Sequence, residues 1–139
     1  MEIDPALEFA AGYNRGVMLT VKRDGRPQAS NVNYAVFDRA VHVSVTEGRA
    51  KTNNLRRDPR GALHVASDDF WSWVVLEGNA EMSSIPARPE DEAAALLRRV
   101  YEEAAGKPHP DWDEFDQVMI KDRRLIVSLR IEHAYGELR

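Results

Sequence analysis

The chain has 139 residues, 43% of them hydrophobic, with 19 basic and 23 acidic side chains and a formal net charge of −4. That length supports one domain around one core, and the acidic balance speaks against a broad nucleic-acid or anionic-membrane footprint. The absence of cysteine excludes thiol catalysis, iron–sulfur clusters and zinc ribbons.

Asp4-Pro5 reads as a helix start, a capping carboxylate ahead of proline at the first helical position, with the helix running to about Asn14. The segment Met1–Pro5 lacks the basic-then-apolar pattern of a secretory signal, and no apolar run approaches the ~20 residues that span a bilayer. The expectation is a cytoplasmic protein with no membrane partner. Val17, Leu19 and Val21 then alternate with Met18, Thr20 and Lys22 as in a strand. Asp24-Gly25 signals a hairpin, and the returning strand is expected over Pro27–Val36.

Asp38-Arg39 turns the chain into a second strand in which Val41, Val43 and Val45 alternate with His42, Ser44 and Thr46. From Arg49 to Arg57 the alternation stops, and a short helix closed by Pro59 is expected. Strands resume over Ala62–Ala66 and Trp73–Met82, until Pro86-Ala87-Arg88-Pro89 breaks the sheet. Two helices follow. The first starts on Glu90-Asp91-Glu92, carries the stripe Leu96, Leu97, Val100, Tyr101 and Ala104, and ends at Gly106. The second is capped by Asp111 with Glu114 and turns Trp112, Phe115 and Met119 to one side. Leu125, Val127, Leu129 and Ile131 mark the last strand. Residues 1–139 thus form a single mainly β domain with helices, and consecutive antiparallel strands favour a closed or half-closed barrel.

Arg49-Ala50-Lys51-Thr52 is the most informative stretch, because it lies where a strand ends and a short helix begins. Unpaired N–H groups and the helix dipole favour an anion there. Arg49 and Lys51 add charge, and Thr46 and Thr52 add hydroxyls, so the segment suits a phosphate. The bland alternative is a solvated basic turn whose Arg56, Arg57 and Arg60 pair with neighbouring carboxylates. A nucleic-acid patch is disfavoured by Asp58 and by the lack of interleaved aromatics for base stacking. The polar strand Gln28–Tyr34 places Gln28, Ser30, Val32 and Tyr34 on one face and Ala29, Asn31 and Asn33 on the other. Its amides and hydroxyls suit the edge of a pyrimidinedione ring, or simply a wet edge strand.

Phe70-Trp71-Ser72-Trp73 is read either as core or as a ligand or subunit wall. The four histidines show no metal-ligand spacing, so no metal site is expected; a structural role is favoured for each. His133, beside Tyr135, is the one weak candidate for a proton donor. No catalytic dyad stands out, which suits chemistry carried by a bound cofactor.

The segment Val43–Pro59 resembles the phosphate-binding segment of F420-dependent oxidoreductases related to pyridoxamine 5′-phosphate oxidase, and more specifically their B branch. The resemblance extends through Asp24-Gly25-Arg26-Pro27-Gln28, Ser30-Asn31-Val32, Asp68-Asp69 with Trp71-Ser72, Glu77-Gly78, Asp111-Trp112-Asp113, Asp122-Arg123-Arg124 and His133-Ala134-Tyr135-Gly136. It implies a homodimeric split β-barrel with cofactor sites in grooves between subunits, and hydride transfer from reduced F420 to a small organic substrate. By matching position, Arg49, Ala50, Lys51 and Thr52 would hold the phosphate, with Ser44 and Thr46 beside the ribityl chain. Gln28, Ser30 and Asn31 would flank the ring, and Trp71 or Trp73 would approach from the partner. FMN in the same groove is the alternative cofactor, and a non-catalytic F420 carrier the alternative function. Pyridoxamine phosphate oxidases carry a longer segment after the last strand, so a different reaction is expected here.

Overall fold

The computed structural model describes residues 1–139. Helix α1 (Ile3–Ala11) is followed by strands β1 (Arg15–Val21), β2 (Pro27–Asn33), β3 (Ala35–Phe37) and β4 (Ala40–Thr46), then α2 (Ala50–Arg57), β5 (Arg60–Ala66) and β6 (Trp73–Met82). Helices α3 (Glu92–Ala105) and α4 (Trp112–Lys121) precede β7 (Arg124–Glu137). No helix is long and apolar enough to cross a membrane.

The seven strands form one antiparallel sheet in the order β2-β1-β5-β6-β7-β4-β3. Strands β2 and β3 occupy its two opposite edges, yet only Tyr34 separates them in the chain. One residue spans only a few ångströms, so the sheet must curl until its edges meet. The expected single strand Pro27–Val36 is therefore two strands, and the break at Tyr34 is the barrel seam. Tyr34 is buried there; its hydroxyl donates to the Ala10 carbonyl at 2.6 Å and its N–H to Asn14 at 3.1 Å. Burial pushes its phenol well above the ordinary tyrosine range. Helix α1 is thereby tied to the seam, with Ala6, Leu7 and Ala10 buried against the β6–β7 wall.

The alternations read in β4 and β7 fill the barrel, whereas β1 turns Met18 and Thr20 inward and leaves Val17, Leu19 and Val21 half-buried. Met18, Val41, Val43, Val45, Leu63, Val65, Leu76, Val127 and Leu129 are all buried in one cluster. A bulge between Glu77 and Gly78 bends β6 across β7. Gly78 has no alternative there, since a Cβ would stand 1.9 Å from the Arg130 carbonyl oxygen. A second cluster lies outside the barrel, where Leu97, Val100 and Phe115 of α3 and α4 cover Ala35 and Ile126. Buried Asp116 of α4 takes a two-pronged ion pair from Arg98 of α3, which fixes the two helices together.

Two expectations at the N-terminus need correction. Glu2, not Asp4, occupies the cap position and caps nothing; Asp4 lies inside the first turn, paired with Arg39, and α1 ends at Ala11. The sequence signals of α4 hold: Asp111 accepts from the Glu114 N–H at 3.1 Å.

Candidate functional site

Strand β4 ends at Thr46, Glu47-Gly48 turns the chain, and Arg49 stands at the cap position of α2. Gly48 has φ +84°, the left-handed conformation that lets the chain reverse before the helix. No side chain caps α2, so the first-turn N–H groups face outward with the positive end of the helix dipole. Thr52 anchors the helix from within: it is fully buried and its hydroxyl donates to the Thr46 carbonyl at 2.8 Å. Its side chain therefore supports the turn and is out of reach of a phosphate in this structure. Asn53 reinforces the turn by donating to the Gly48 carbonyl at 3.3 Å.

The charges around this turn divide into two groups. Glu47 pairs with Arg56, Asp58 pairs with Arg60, and Arg57 donates to the Val21 carbonyl and to Asn54. The bland reading of the basic run holds for Arg56 and Arg60, whereas Arg57 is held by a backbone carbonyl and an amide instead of a carboxylate. Arg49 and Lys51 have no carboxylate partner, and a third cation, Arg124 at the start of β7, joins them from the strand paired with β4. Burial, then Arg124, then Arg49 hold the Lys51 ammonium below its ordinary pKa. Arg124 reaches the Ser44 carbonyl only at 3.5 Å, and its buried Nε finds no acceptor at all. A buried donor without an acceptor is costly, and an anion beside it removes the cost.

Lys51, Arg124 and Ser44 open into a cavity of about 530 Å³, which also takes in Arg15, Asn31 and Asn33. Asn31 and Ser44 are thus brought to Lys51, whereas Gln28 and Ser30 face inward. The Gln28 amide accepts from Thr20 and donates to Ser30, both at 2.7 Å, and Asn54 of α2 donates to Thr20 at 3.1 Å. This chain of hydrogen bonds fixes α2 against β1 and β2. Gln28 and Ser30 therefore serve position more directly than contact.

Arg15, Asn31, Val32 and Asn33 are shared with a neighbouring cavity of about 490 Å³, which ends at His64 and Phe70. His64 and Phe70 in turn belong to a third, of about 300 Å³, with Trp71 and Trp73. One furrow thus leads from the cations to the tryptophans across β1, β2 and β5. His64 and Trp73 stack with centroids 5.9 Å apart. Phe70 and Trp71 stand out from the surface, 70% and 63% exposed. Asp69 holds their loop, accepting from the Ser67 hydroxyl and the Trp71 N–H, and these bonds lower its carboxyl pKa. His133 lies outside this furrow, on the exposed side of β7 and 3.8 Å from Glu77.

The residues that sequence reasoning missed are Arg124 and Arg15. Arg124 had a signal, the pair Arg123-Arg124 directly ahead of the last strand, but only the β4–β7 register sets it opposite Thr46.

A family model described as pyridoxamine 5′-phosphate oxidase matches residues 4–136. Among solved structures, a conserved hypothetical protein of Mycobacterium tuberculosis is similar with TM-score 0.76 and 24% identity, over 98% of this chain and 84% of that one. An F420 reductase is similar with TM-score 0.64 and 20% identity, over 88% and 89% of the two chains. The heme storage protein HutZ of Vibrio cholerae is similar with TM-score 0.69 and 14% identity, over 98% and 95%. Likeness at such identities is a likeness of fold, and the match over residues 4–136 settles the lineage: the chain belongs to the pyridoxamine 5′-phosphate oxidase family.

Proposed function

We propose that the chain is an oxidoreductase that binds F420 in this furrow and reduces a small organic acceptor. The observation that carries the reading is the cluster of Arg49, Lys51 and Arg124 around the uncapped start of α2, with a buried guanidinium nitrogen still lacking an acceptor. A cofactor phosphate satisfies that nitrogen and relieves the mutual repulsion of the three cations. When bound in reduced form, F420 supplies a hydride, and its carbon in place of the flavin N5 favours two-electron over one-electron chemistry.

The protein's own contribution is position. Arg49 and Lys51 hold the phosphate, Ser44 and Thr46 lie along the strand leading to it, and Asn31 and Asn33 offer amides to the ring edge. Arg15 stands where the two larger cavities meet, and His64, Phe70 and Trp73 line the far end. His64 is the imidazole that lies in the furrow, so the matching proton comes from solvent or from that weak donor, and proximity supplies most of the acceleration. The exposed Phe70 and Trp71 suit coverage by a second copy, in which case each furrow lies between two subunits.

Titration of the purified protein with F420, FMN and hemin tests the assignment. F420 is expected to bind most tightly and, once reduced, to be oxidised in a single turnover by a conjugated enone or quinone. Tight FMN or hemin binding with none of F420 overturns the cofactor. F420 binding without turnover of any acceptor makes the chain a carrier.

A further inference from the structure

The cavity at Lys51 is larger than the cations and the polar strand require, and its second half has a different chemistry. Its far wall is built by α3 and α4, through Leu97, Val100, Tyr101, Ala104, Phe115 and Met119. With its phosphate on Lys51 and its ring edge on the Asn31 and Asn33 amides, either candidate cofactor sets a polyol chain beside the phosphate, and a polyol does not match an apolar wall. The wall is also rigid. Tyr101 and Phe115 meet edge to face at 5.3 Å, Arg98 and Asp116 tie the two helices, and the Asn14 amide donates to the Ala104 carbonyl at 2.8 Å. At about 530 Å³ the cavity has the size of a small-molecule site, with a few polar groups at one end and apolar walls elsewhere.

We infer that this recess is a binding site for a small amphiphilic anion, an aromatic carboxylate whose head engages Lys51 and Arg124 and whose ring lies against Tyr101, Phe115 and Met119. Charge complementarity selects the class. A neutral apolar molecule would leave the Arg124 Nε without an acceptor, and a small inorganic anion would leave the half-buried Tyr101, Ala104 and Met119 facing water. The head shares Lys51 with the cofactor phosphate, so the two ligands exclude each other. The inference stands on the recess alone and holds whichever cofactor the furrow accepts.

The test is calorimetric titration of the protein with 2-naphthoate, 2-naphthamide and acetate. Naphthoate is expected to bind about tenfold or more tightly than the uncharged amide or the head group alone, and inorganic phosphate to weaken it. Ala104→Trp on α3 and Met119→Trp on α4 each fill the recess. Whichever gives a wild-type-like melt is expected to lose about tenfold or more in naphthoate affinity. Equal affinity for acid and amide, no binding of either, or a folded filled variant that still binds naphthoate normally overturns the inference. The wild-type comparison decides even if both variants fail to fold. Naphthoate binding in a chain that takes neither F420 nor FMN retires the cofactor reading alone, and the reverse pattern retires this one.

Discussion

Lys51 concentrates the account in one side chain. Its ammonium is half-buried between two guanidinium groups, and the fold holds its pKa below the ordinary value. A lysine with a lowered folded-state pKa opposes folding at neutral pH, and the penalty fades as pH rises past the lowered value and on through the unfolded one. Lys51→Met is therefore expected to raise the melting temperature of the ligand-free protein slightly, and inorganic phosphate to raise that of the wild type more than that of the variant. Lys51→Ala removes a charge-assisted contact worth roughly 1.5–3 kcal/mol, a loss of about ten- to a hundredfold in F420 affinity. Unchanged affinity contradicts the cradle. His133→Ala, well outside the furrow, is expected to slow turnover far less than the ~10²–10⁴-fold typical of losing a general acid. His42 makes a prediction of the opposite kind. It is buried between β3 and β7, its Nε2–H donating to the Phe37 carbonyl and its Nδ1 accepting from Ser128, and burial lowers its pKa. Its stabilising contribution is complete above the unfolded value of about 6.5 and is lost as pH falls from there through the lowered one. His42→Gln should melt with a shallower dependence on pH between roughly 7 and 5.

Among the elements, those set by neighbours in sequence were legible and those set by neighbours in space were not. The hairpin at Asp24-Gly25, the cap of α4 at Asp111 and the short helix after Gly48 each depend on local chemistry, and the structure has them where the residues point. The split of Pro27–Asn33 from Ala35–Phe37 had no local signal, because both halves keep the same alternation and only closure of the barrel parts them. Arg124 entered the site by the same route, through strand register. The buried support of Thr52, read as a phosphate ligand, was hidden because a hydroxyl at a helix start serves equally to face an anion or to tie the turn. The helical hairpin offers a test of tertiary logic. Arg98→Ala leaves Asp116 buried and unpaired, at a cost of about 3 kcal/mol, and pairing it with Asp116→Leu should recover much of the loss. A purely additive double variant would contradict the ion pair as the tie between α3 and α4.

At the scale of the molecule, seven strands curl into a half-barrel so that β2 and β4, the strand bearing the amides and the strand leading to the cations, approach along one seam. The furrow along that seam ends in Phe70 and Trp71, whose exposure fits an isologous dimer. Light scattering at micromolar concentration is expected to give twice the chain mass, and Trp71→Ser to shift the balance toward monomer. A monomeric wild type removes the second wall of the proposed site.

We place the phosphate of F420 on a cation cluster assembled from two separate segments of the chain. Calorimetric titration of F420 into the wild type, Lys51→Ala, Arg124→Ala and the double variant tests it most directly. Each single change is expected to weaken binding about tenfold or more, with the double variant departing from the sum because both side chains face one phosphate. Wild-type affinity in Arg124→Ala and Lys51→Ala alike would contradict the account.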